Sequence, residues 1–404
     1  MIDRPSLTES RSAGQIFSGL SDDEASLLDQ ADRFARAELY PLSQRMDNEE
    51  WWPPEAFAKI GANGYFGITA PESLGGSGAD LFTSGLVLQA FGRWNHALAL
   101  SWVVHENLCL HNLLRNASAE QQLRHVPAMC RGISVGALGL TEPGAGSDAL
   151  GSMRTTARLD GDAYVLDGTK LYITNGPVAD VLLVYAKTDK ARGTQGISAF
   201  IVEKEFAGFR VAQKLTKMGF RGCPTAELVF DGCRVPVANR VGAENAGVKV
   251  VMSGLDLERA MISPLCLGIA ERALELSVEF ARTRQQFGQP IGNFQMIQDK
   301  LAQMYVWVES MRLFTYQTLR AVSALEHGEG VGRGEIHKLS AASVMFAANT
   351  MNSVLDQAVQ IHGGSGYIWE SEINRLYRSI KLLEIGAGTT EVRKLIIAGE
   401  MLRG

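Results

Sequence analysis

Apolar positions recur at helical spacing through roughly the first third of the chain. Ser21 and Glu24 stand at a capping-box spacing, which satisfies orphan amides at a helix start. Leu27, Leu28, Ala31, Phe34, Ala35 and Leu39 follow at helical intervals and predict a helix that Pro41 ends. A glycine-rich loop, Ser73-Leu74-Gly75-Gly76-Ser77-Gly78, separates it from further apolar helical stretches reaching about His125. Near Ile133 the period changes. From there to about Gly247 short β-rich runs alternate with Gly, Asp and Pro. Tyr164-Val165-Leu166 lies between Asp-Gly turns, and Val181 to Tyr185, Ile197 to Glu203 and Ala226 to Phe230 are further strand candidates. Their spacing suits a compact antiparallel barrel or sandwich. The helical period then returns. Ile269, Ala273, Leu276 and Phe280 form one face of a long helix, and Gln295 to about Leu325 and Lys338 to Val359 behave likewise. Helices this long and apolar predict a bundle with faces left for subunit contacts.

Composition removes several function classes. The chain has 404 residues, 46% hydrophobic and 21% charged, and so encodes a folded multi-domain protein. A net charge of -5, with Lys and Arg scattered, gives no electrostatic case for nucleic acid or an anionic membrane. No window reaches the ~18 uninterrupted apolar residues of a spanning helix. The first residues, MIDRPSLTES, show neither an apolar signal core nor an Arg-rich transit pattern, so a cytoplasmic location is expected. The five cysteines (Cys109, Cys130, Cys223, Cys233 and Cys266) have no metal-ligand spacing, and no histidines pair as HxxxH or HxH. No metal site is expected.

Five segments carry possible chemistry, and each has an ordinary structural reading beside the functional one. Leu140-Thr141-Glu142-Pro143-Gly144-Ala145-Gly146-Ser147-Asp148 is a loop whose amides can approach a ligand closely, or simply a turn. In Leu171-Tyr172-Ile173-Thr174-Asn175-Gly176, alternation puts Tyr172 and Thr174 on one face, as a cross-strand pair or as an aromatic shield and donor for a flat heterocycle. In Ser253 to Ile262, Glu258 falls inside an apolar stripe with Leu255, Ile262 and Leu265. A carboxylate there is partly desolvated, which raises its pKa and strengthens it as a base; the competing reading is a buried ion pair, with Arg259 or a distant partner. Gln360-Ile361-His362-Gly363-Gly364-Ser365-Gly366-Tyr367 is a helix C-cap or a loop open to a pyrophosphate. Thr389, Thr390 and Glu391 could start a helix whose free amides face an anion or carbonyl.

Taken in order, TEPGAGSD, YITNG, RQQFGQPIGNFQ (Arg284 to Gln295), HGGSGY and IGAGTTEVR resemble the acyl-CoA dehydrogenase family, and within it the isovaleryl-CoA dehydrogenases. The likeness runs from about Leu20 to Ala398. It implies an α+β multi-domain fold: an N-terminal α-helical domain (1–132), a middle antiparallel β-barrel (133–248) and a C-terminal four-helix bundle (249–404). It also implies FAD between barrel and bundle, a homotetramer, and an electron-transfer flavoprotein as electron acceptor. Carried over residue by residue, Leu140, Thr141, Gly146 and Ser147 line the flavin, and Ser147 also touches the acyl-CoA. Tyr172, Ile173 and Thr174 face the isoalloxazine. Arg284, Phe287, Gln295 and the loop Gln360-Ile361-His362-Gly363-Gly364 hold the ADP half, and Thr389, Thr390 and Glu391 close the adenosine side.

The base is the informative departure. Most members carry the catalytic Glu just before the Gly-Thr of the last motif, where this chain has Ala387. Isovaleryl-CoA dehydrogenases take their base from a GLDLER helix instead, and Gly254 to Arg259 has those letters, with Glu258 in the base position. Glu384 is the weaker candidate. The implied reaction is removal of the α-proton of a short branched acyl-CoA by Glu258 and of the β-hydride by the flavin, giving a trans-2-enoyl thioester. The implied substrate contacts are Ser147, Lys249, Asp256, Leu257, Arg259, Ile262, Ala387 and Gly388, the Ala387 amide polarising the thioester carbonyl. Three positions depart from the pattern: Tyr172 where many members have Trp, Thr194-Gln195 for a Ser-Arg pair, and Lys249 for a Tyr. They leave open a carrier-protein-tethered acyl group, an oxidase or monooxygenase on the same fold and, least favoured, a non-enzymatic flavoprotein scaffold.

Overall fold

The computed structural model describes residues 19–326 and 333–403. The first helix, α1 (Asp22–Phe34), begins as its capping box requires. Ser21 Oγ accepts from the Glu24 amide at 3.3 Å, and the Ser21 amide donates to Glu24 Oε2 at 2.8 Å. Pro41 does not end it. The chain passes through a π turn (Ala35–Leu39) and a 3-10 turn (Tyr40–Leu42) directly into α2 (Ser43–Glu49). Pro41 falls in the opening positions of the short turn, where its missing amide would have been unpaired anyway. Then come α3 (Pro54–Ala62), α4 (Leu81–Trp94), α5 (His96–Val103), a second π turn (Val104–Leu110), α6 (His111–Asn116) and α7 (Ala119–Cys130). Asp80 and Asn95 cap α4 and α5 by accepting amides at 2.8 and 3.0 Å.

The strand region holds β1 (Gly136–Gly139), β2 (Thr156–Asp160), β3 (Ala163–Thr174), β4 (Val181–Lys187), β5 (Ile197–Glu203), β6 (Phe209–Lys214), β7 (Thr225–Pro236) and β8 (Arg240–Val241). All four strand runs expected from the sequence lie within them. The order is β6-β7-β3-β2-β4-β5-β8, with β1 on β4. One refinement concerns direction: β1 runs parallel to β4, and β2 meets β4 in parallel at Thr156 and Lys187, so the sheet is mixed. Strand β4 reads V-L-L-V-Y-A-K without alternation because both its faces are covered. Leu182, Val184 and Ala186 join one core with Tyr164, Leu166 and Phe200, while Leu183 and Tyr185 join another with Cys109, Leu110 and Val251.

The last part begins with α8 (Gly247–Thr283), 37 residues long and spanning the predicted face from Ile269 to Phe280. A two-stranded hairpin follows, β9 (Gln285–Gln286) and β10 (Gln289–Pro290). After it come α9 (Gln295–Glu326), α10 (Arg333–His362), α11 (Gly364–Tyr367), α12 (Glu372–Ile385) and α13 (Thr390–Arg403). Helix α8 is the axis of the molecule, packing against α4, α9 and α10, while α12 and α13 pack on α10. This large apolar core leaves only the first turns of α8 to face the sheet, and there the site forms. Among the described residues, no helix is long and apolar enough to cross a membrane, and no His/Cys/Asp/Glu group could hold a metal ion.

Candidate active site

Four elements meet at one small cavity. Strand β1 and its exit give Leu138 and Leu140. The π turn and α6 give Asn107, Leu108 and Asn112. Helix α8 gives Val251, Gly254, Leu255 and Glu258. Gly254 permits this approach, since a Cβ there would stand 2.9 Å from Asn112 Nδ2. Asn112 Oδ1 in turn accepts from Asn116 Nδ2 at 2.9 Å, and that nitrogen also reaches Ser253 Oγ at 3.0 Å, tying α6 to α8.

Glu258 is the only acid on this wall. Burial pushes its carboxyl up to about 7, against the opposing pull of the Arg259 and Arg393 charges. Neither cation pairs with it. Arg259 spends its guanidinium on Asp256 (Nη1 to Oδ1, 3.2 Å) and on the Ala387 carbonyl (Nε, 3.3 Å). Arg393 donates to the carbonyls of Leu383 and Gly386 at 2.9 and 2.6 Å, a cation at the C-terminal end of α12. The two arginines therefore hold the 386–388 turn, in which Ala387 (φ 53°) and Gly388 (φ 91°) are left-handed. The expected helix start follows: Thr389 Oγ1 accepts from the Val392 amide at 3.3 Å. Glu384, the weaker candidate, is already engaged. Burial raises its pKa, but hydrogen bonds from Lys381 and Asn352 outweigh that and hold it below the usual carboxylate range.

Leu140 and Thr141 are positioned by a pair of residues that the sequence reading passed over. Glu142 and Lys170 are both buried and paired at 2.9 Å. Glu142 also accepts from the amides of Arg154 and Thr155 at 2.6 and 3.0 Å, and Lys170 Nζ reaches the Leu140 carbonyl at 3.1 Å. This fixes the loop from both ends. Gly146 and Ser147 beyond it are exposed, with open space where a Gly146 Cβ would be. Strand β3 carries a register shift between Lys170 and Ile173, and Tyr172 sits in it at φ 62°, 66% exposed. Simple alternation is broken there, yet Ile173 turns into the core while Tyr172 and the half-buried Thr174 stay outside it.

The remaining predicted residues divide clearly. Arg284, Gln295, Gln360, Gly363, Gly364 and Glu391 are exposed, and Thr390 is half-buried. Phe287 is 92% exposed at the tip of the β9–β10 hairpin, where it and Gly288 both have positive φ, as a two-residue type I′ turn demands. Gly363 is left-handed at φ 56°, and neither it nor Gly364 would meet a neighbour with a Cβ. Ile361 is core, and His362 gives Nδ1 to the Ala358 carbonyl at 2.7 Å and stacks on Phe280. Of the predicted substrate contacts, Lys249 is exposed, Leu257 and Ile262 are in the core, and Asp256 is held by Arg259 and by His337 at 2.6 Å. Val251 and Leu255, two turns and one turn before Glu258, form the cavity wall instead of Ile262. Asn107, Asn112 and Leu138 were missed. The signal for the two asparagines was a polar residue inside an apolar run, which spacing alone does not tie to α8; Leu138 had none.

Against this geometry the comparisons are decisive. Residues 21–133, 137–233 and 245–402 match the N-terminal, middle and C-terminal domains of acyl-CoA dehydrogenase. The chain belongs to the acyl-CoA dehydrogenase family. It is an oxidoreductase. The mitochondrial isovaleryl-CoA dehydrogenase of Arabidopsis thaliana is 40% identical over 98% of this chain and 94% of that protein. Butyryl-CoA dehydrogenase from Megasphaera elsdenii superposes with a TM-score of 0.90 at 33% identity, covering 95% of this chain and 99% of that one. PigA, solved with FAD and proline, gives a TM-score of 0.89 at 30% identity, with 96% and 99% covered.

Two exposed segments suit a flavin. Tyr172 offers an exposed ring and follows Leu171, whose amide donates to the Thr141 carbonyl at 2.9 Å, and Gly363-Gly364 is an open turn with unobstructed backbone. These would hold a flat heterocycle and a phosphate-bearing tail without moving a side chain out of the core.

Proposed function

We propose that this chain carries out FAD-dependent α,β-dehydrogenation of a short branched acyl-CoA, isovaleryl-CoA-like, with Glu258 as the base. The observation that carries the reading is a single unpaired carboxylate, raised to about 7, on a cavity wall that holds no other charged side chain. A general base works best when its pKa lies near the operating pH.

Each protein group then has one task. Leu138, Leu140, Val251 and Leu255 exclude water from the acyl chain and keep Glu258 desolvated. The Ala387 amide, held by Arg259 and the left-handed turn, donates to the thioester carbonyl and stabilises enolate character as the α-proton moves to Glu258. FAD, when bound, accepts the β-hydride. Leu140, Thr141, Tyr172 and Thr174 would flank its ring, and Arg284, Phe287, Gln295 and the Gln360 to Gly364 turn its ADP half. The nearly free aromatic tip at Phe287, with exposed Tyr367, Leu395 and Leu402, supports a homotetramer in which a neighbouring subunit covers these groups. The proposed electron acceptor is an electron-transfer flavoprotein.

The test is anaerobic titration of the flavin-loaded protein with isovaleryl-CoA. Bleaching of the flavin with a long-wavelength charge-transfer band is expected. An oxidised flavin unmoved by isovaleryl-, butyryl- and octanoyl-CoA alike would overturn the substrate assignment in favour of a carrier-tethered acyl group. Rapid peroxide formation by substrate-reduced protein in air would point to an oxidase.

A further inference from the structure

Arg393 is fully buried, and its bonds go to backbone alone. Nη2 donates to the Leu383 and Gly386 carbonyls, while Nε and Nη1 have no hydrogen-bond partner among the described residues. No carboxylate there forms an ion pair with it; Glu258 and Glu384 act on it only through their charge. It also stands in the first turn of α13, where the helix dipole opposes a cation. Burying a guanidinium on these terms is unfavourable, and a surface lysine or arginine is enough to cap the end of α12.

What lies on the far side of the Gly386 carbonyl gives the burial a use. That carbonyl and the Ala387 N–H are the two ends of one peptide unit. The N–H has no acceptor among the described residues. A carbonyl that accepts from a cation polarises its peptide, and the N–H at the other end becomes a stronger donor. Arg259 stands in a different relation. Its 3.3 Å bond falls on the Ala387 carbonyl, which belongs to the next peptide and ends in the Gly388 N–H. Arg259 fixes the turn, while Arg393, at 2.6 Å, acts on the amide that the proposed mechanism uses.

We propose that Arg393 is a positioning residue that works through the Gly386–Ala387 peptide, strengthening the Ala387 amide as donor to the thioester oxygen. The proposal rests on that amide being the thioester donor, as the proposed function has it. As the α-proton passes to Glu258, the electron pair of the broken C–H bond moves toward the thioester oxygen and Glu258 becomes neutral. Negative charge leaves the carboxylate and collects on the oxygen that the polarised amide bonds. Arg393 makes no hydrogen bond to Glu258, so its bonded path favours the second arrangement over the first.

Isotope-edited infrared spectra of isovaleryl-CoA, labelled at its carbonyl carbon and bound to flavin-loaded Glu258→Gln protein, test this without turnover. With Arg393 in place, the carbonyl stretch should lie below that of the free thioester in water. Adding Arg393→Met should return it most of the way, and Arg393→Lys, which keeps the cation, should retain the lowering. Dissociation constants should move by no more than about threefold, because the acyl and CoA contacts are untouched. A purely structural role would not move the stretch at unchanged affinity. Arg393→Gln, a neutral donor, replaces the Met variant if that one loses flavin. With Glu258 intact, Arg393→Met should slow flavin reduction about tenfold or more, measured well above the pH at which Glu258 ionises. The same stretch with and without the cation would overturn the proposal. So would an unshifted carbonyl with Arg393 present, and if isovaleryl-CoA still bleached the parent's flavin, dehydrogenation itself would stand. An Arg393-dependent shift without bleaching of the parent would support Arg393 and count against the substrate reading.

Discussion

Desolvation pushes Glu106 and Glu258 both to about 7, yet Glu106 is fully buried and Glu258 half-buried, and they sit in opposite surroundings. Glu106 lies on the π turn with its two oxygens accepting the Gly67 and Ile68 amides, each at 2.8 Å. Its carboxylate is a structural clamp on the loop after α3. Glu258 accepts no such bonds. It faces a cavity, and its nearest cations are committed to the backbone of the 386–388 turn. A raised pKa therefore identifies burial, not catalysis. What separates the two is whether the carboxylate has already been given partners. Chemistry needs the one that has not.

Substituting each glutamate tests this division most severely. Glu258→Gln should keep fold and flavin but lower kcat by about 10²-fold or more, since the base is lost. Stopped-flow reduction of the flavin measures it, and retention of more than about a tenth of the parent kcat would sink the assignment. Glu106→Leu should do the reverse. Two buried amides lose their acceptors, so unfolding free energy falls by roughly 2–5 kcal/mol, while kcat per folded, flavin-loaded molecule stays near that of the parent. Urea titration followed by tryptophan fluorescence gives the first quantity.

Acidity sharpens the comparison further. In the free enzyme Glu258 must be ionised to act, so kcat/KM should rise with pH through about 7 and level off above it. Stability runs the other way. A carboxyl raised from the ordinary range to about 7 binds more protons folded than unfolded within that window. Each such group therefore contributes stability below the ordinary carboxylate pKa that is lost as pH climbs toward 7. Relative to the parent, Glu258→Gln should gain about 1–3 kcal/mol between pH 5 and pH 8. Denaturant midpoints at the two pH values read the difference directly. No relative gain would mean that Glu258 is not desolvated in the free protein.

The sequence showed the helix–strand–helix order because each region keeps its own hydrophobic period, and it showed Glu258 because a charge inside an apolar stripe is visible locally. Contacts made across the chain were not visible in the same way. The parallel pairing of β1 with β4 joins residues 45 apart, as Gly136 and Val181 do, and no local period announces it. Pro41 reads as a stop, but the π turn before it shifts the hydrogen-bond frame so that helix resumes. Ile262 lies one turn beyond Glu258 in sequence, yet packing against the bundle sends it into the core, and Leu255, a turn earlier, forms the wall. Asn107 and Glu258 line one cavity only because the chain brings α6, through Asn112, against Gly254. Spacing identifies the face of a helix; tertiary packing decides what that face meets.

The smallest effect, and the finest test of the comparison, is to move the base. If a carboxylate is catalytic because of what faces it, a second position facing the same substrate carbon should also serve. Ala387 is the position the family more often uses, and its carbonyl is tied to Arg259, the residue after Glu258. It already holds a left-handed backbone, so Ala387→Glu adds a side chain without demanding a new conformation, at most about 1 kcal/mol of further strain. The double variant Glu258→Gly, Ala387→Glu should recover activity about tenfold above Glu258→Gly alone while remaining well below the parent, because the new carboxylate approaches from a different element. Flavin reduction under single-turnover conditions measures the recovery. Its absence, with flavin and thioester still bound, would show that only the α8 side of this cavity presents a base to the α-carbon.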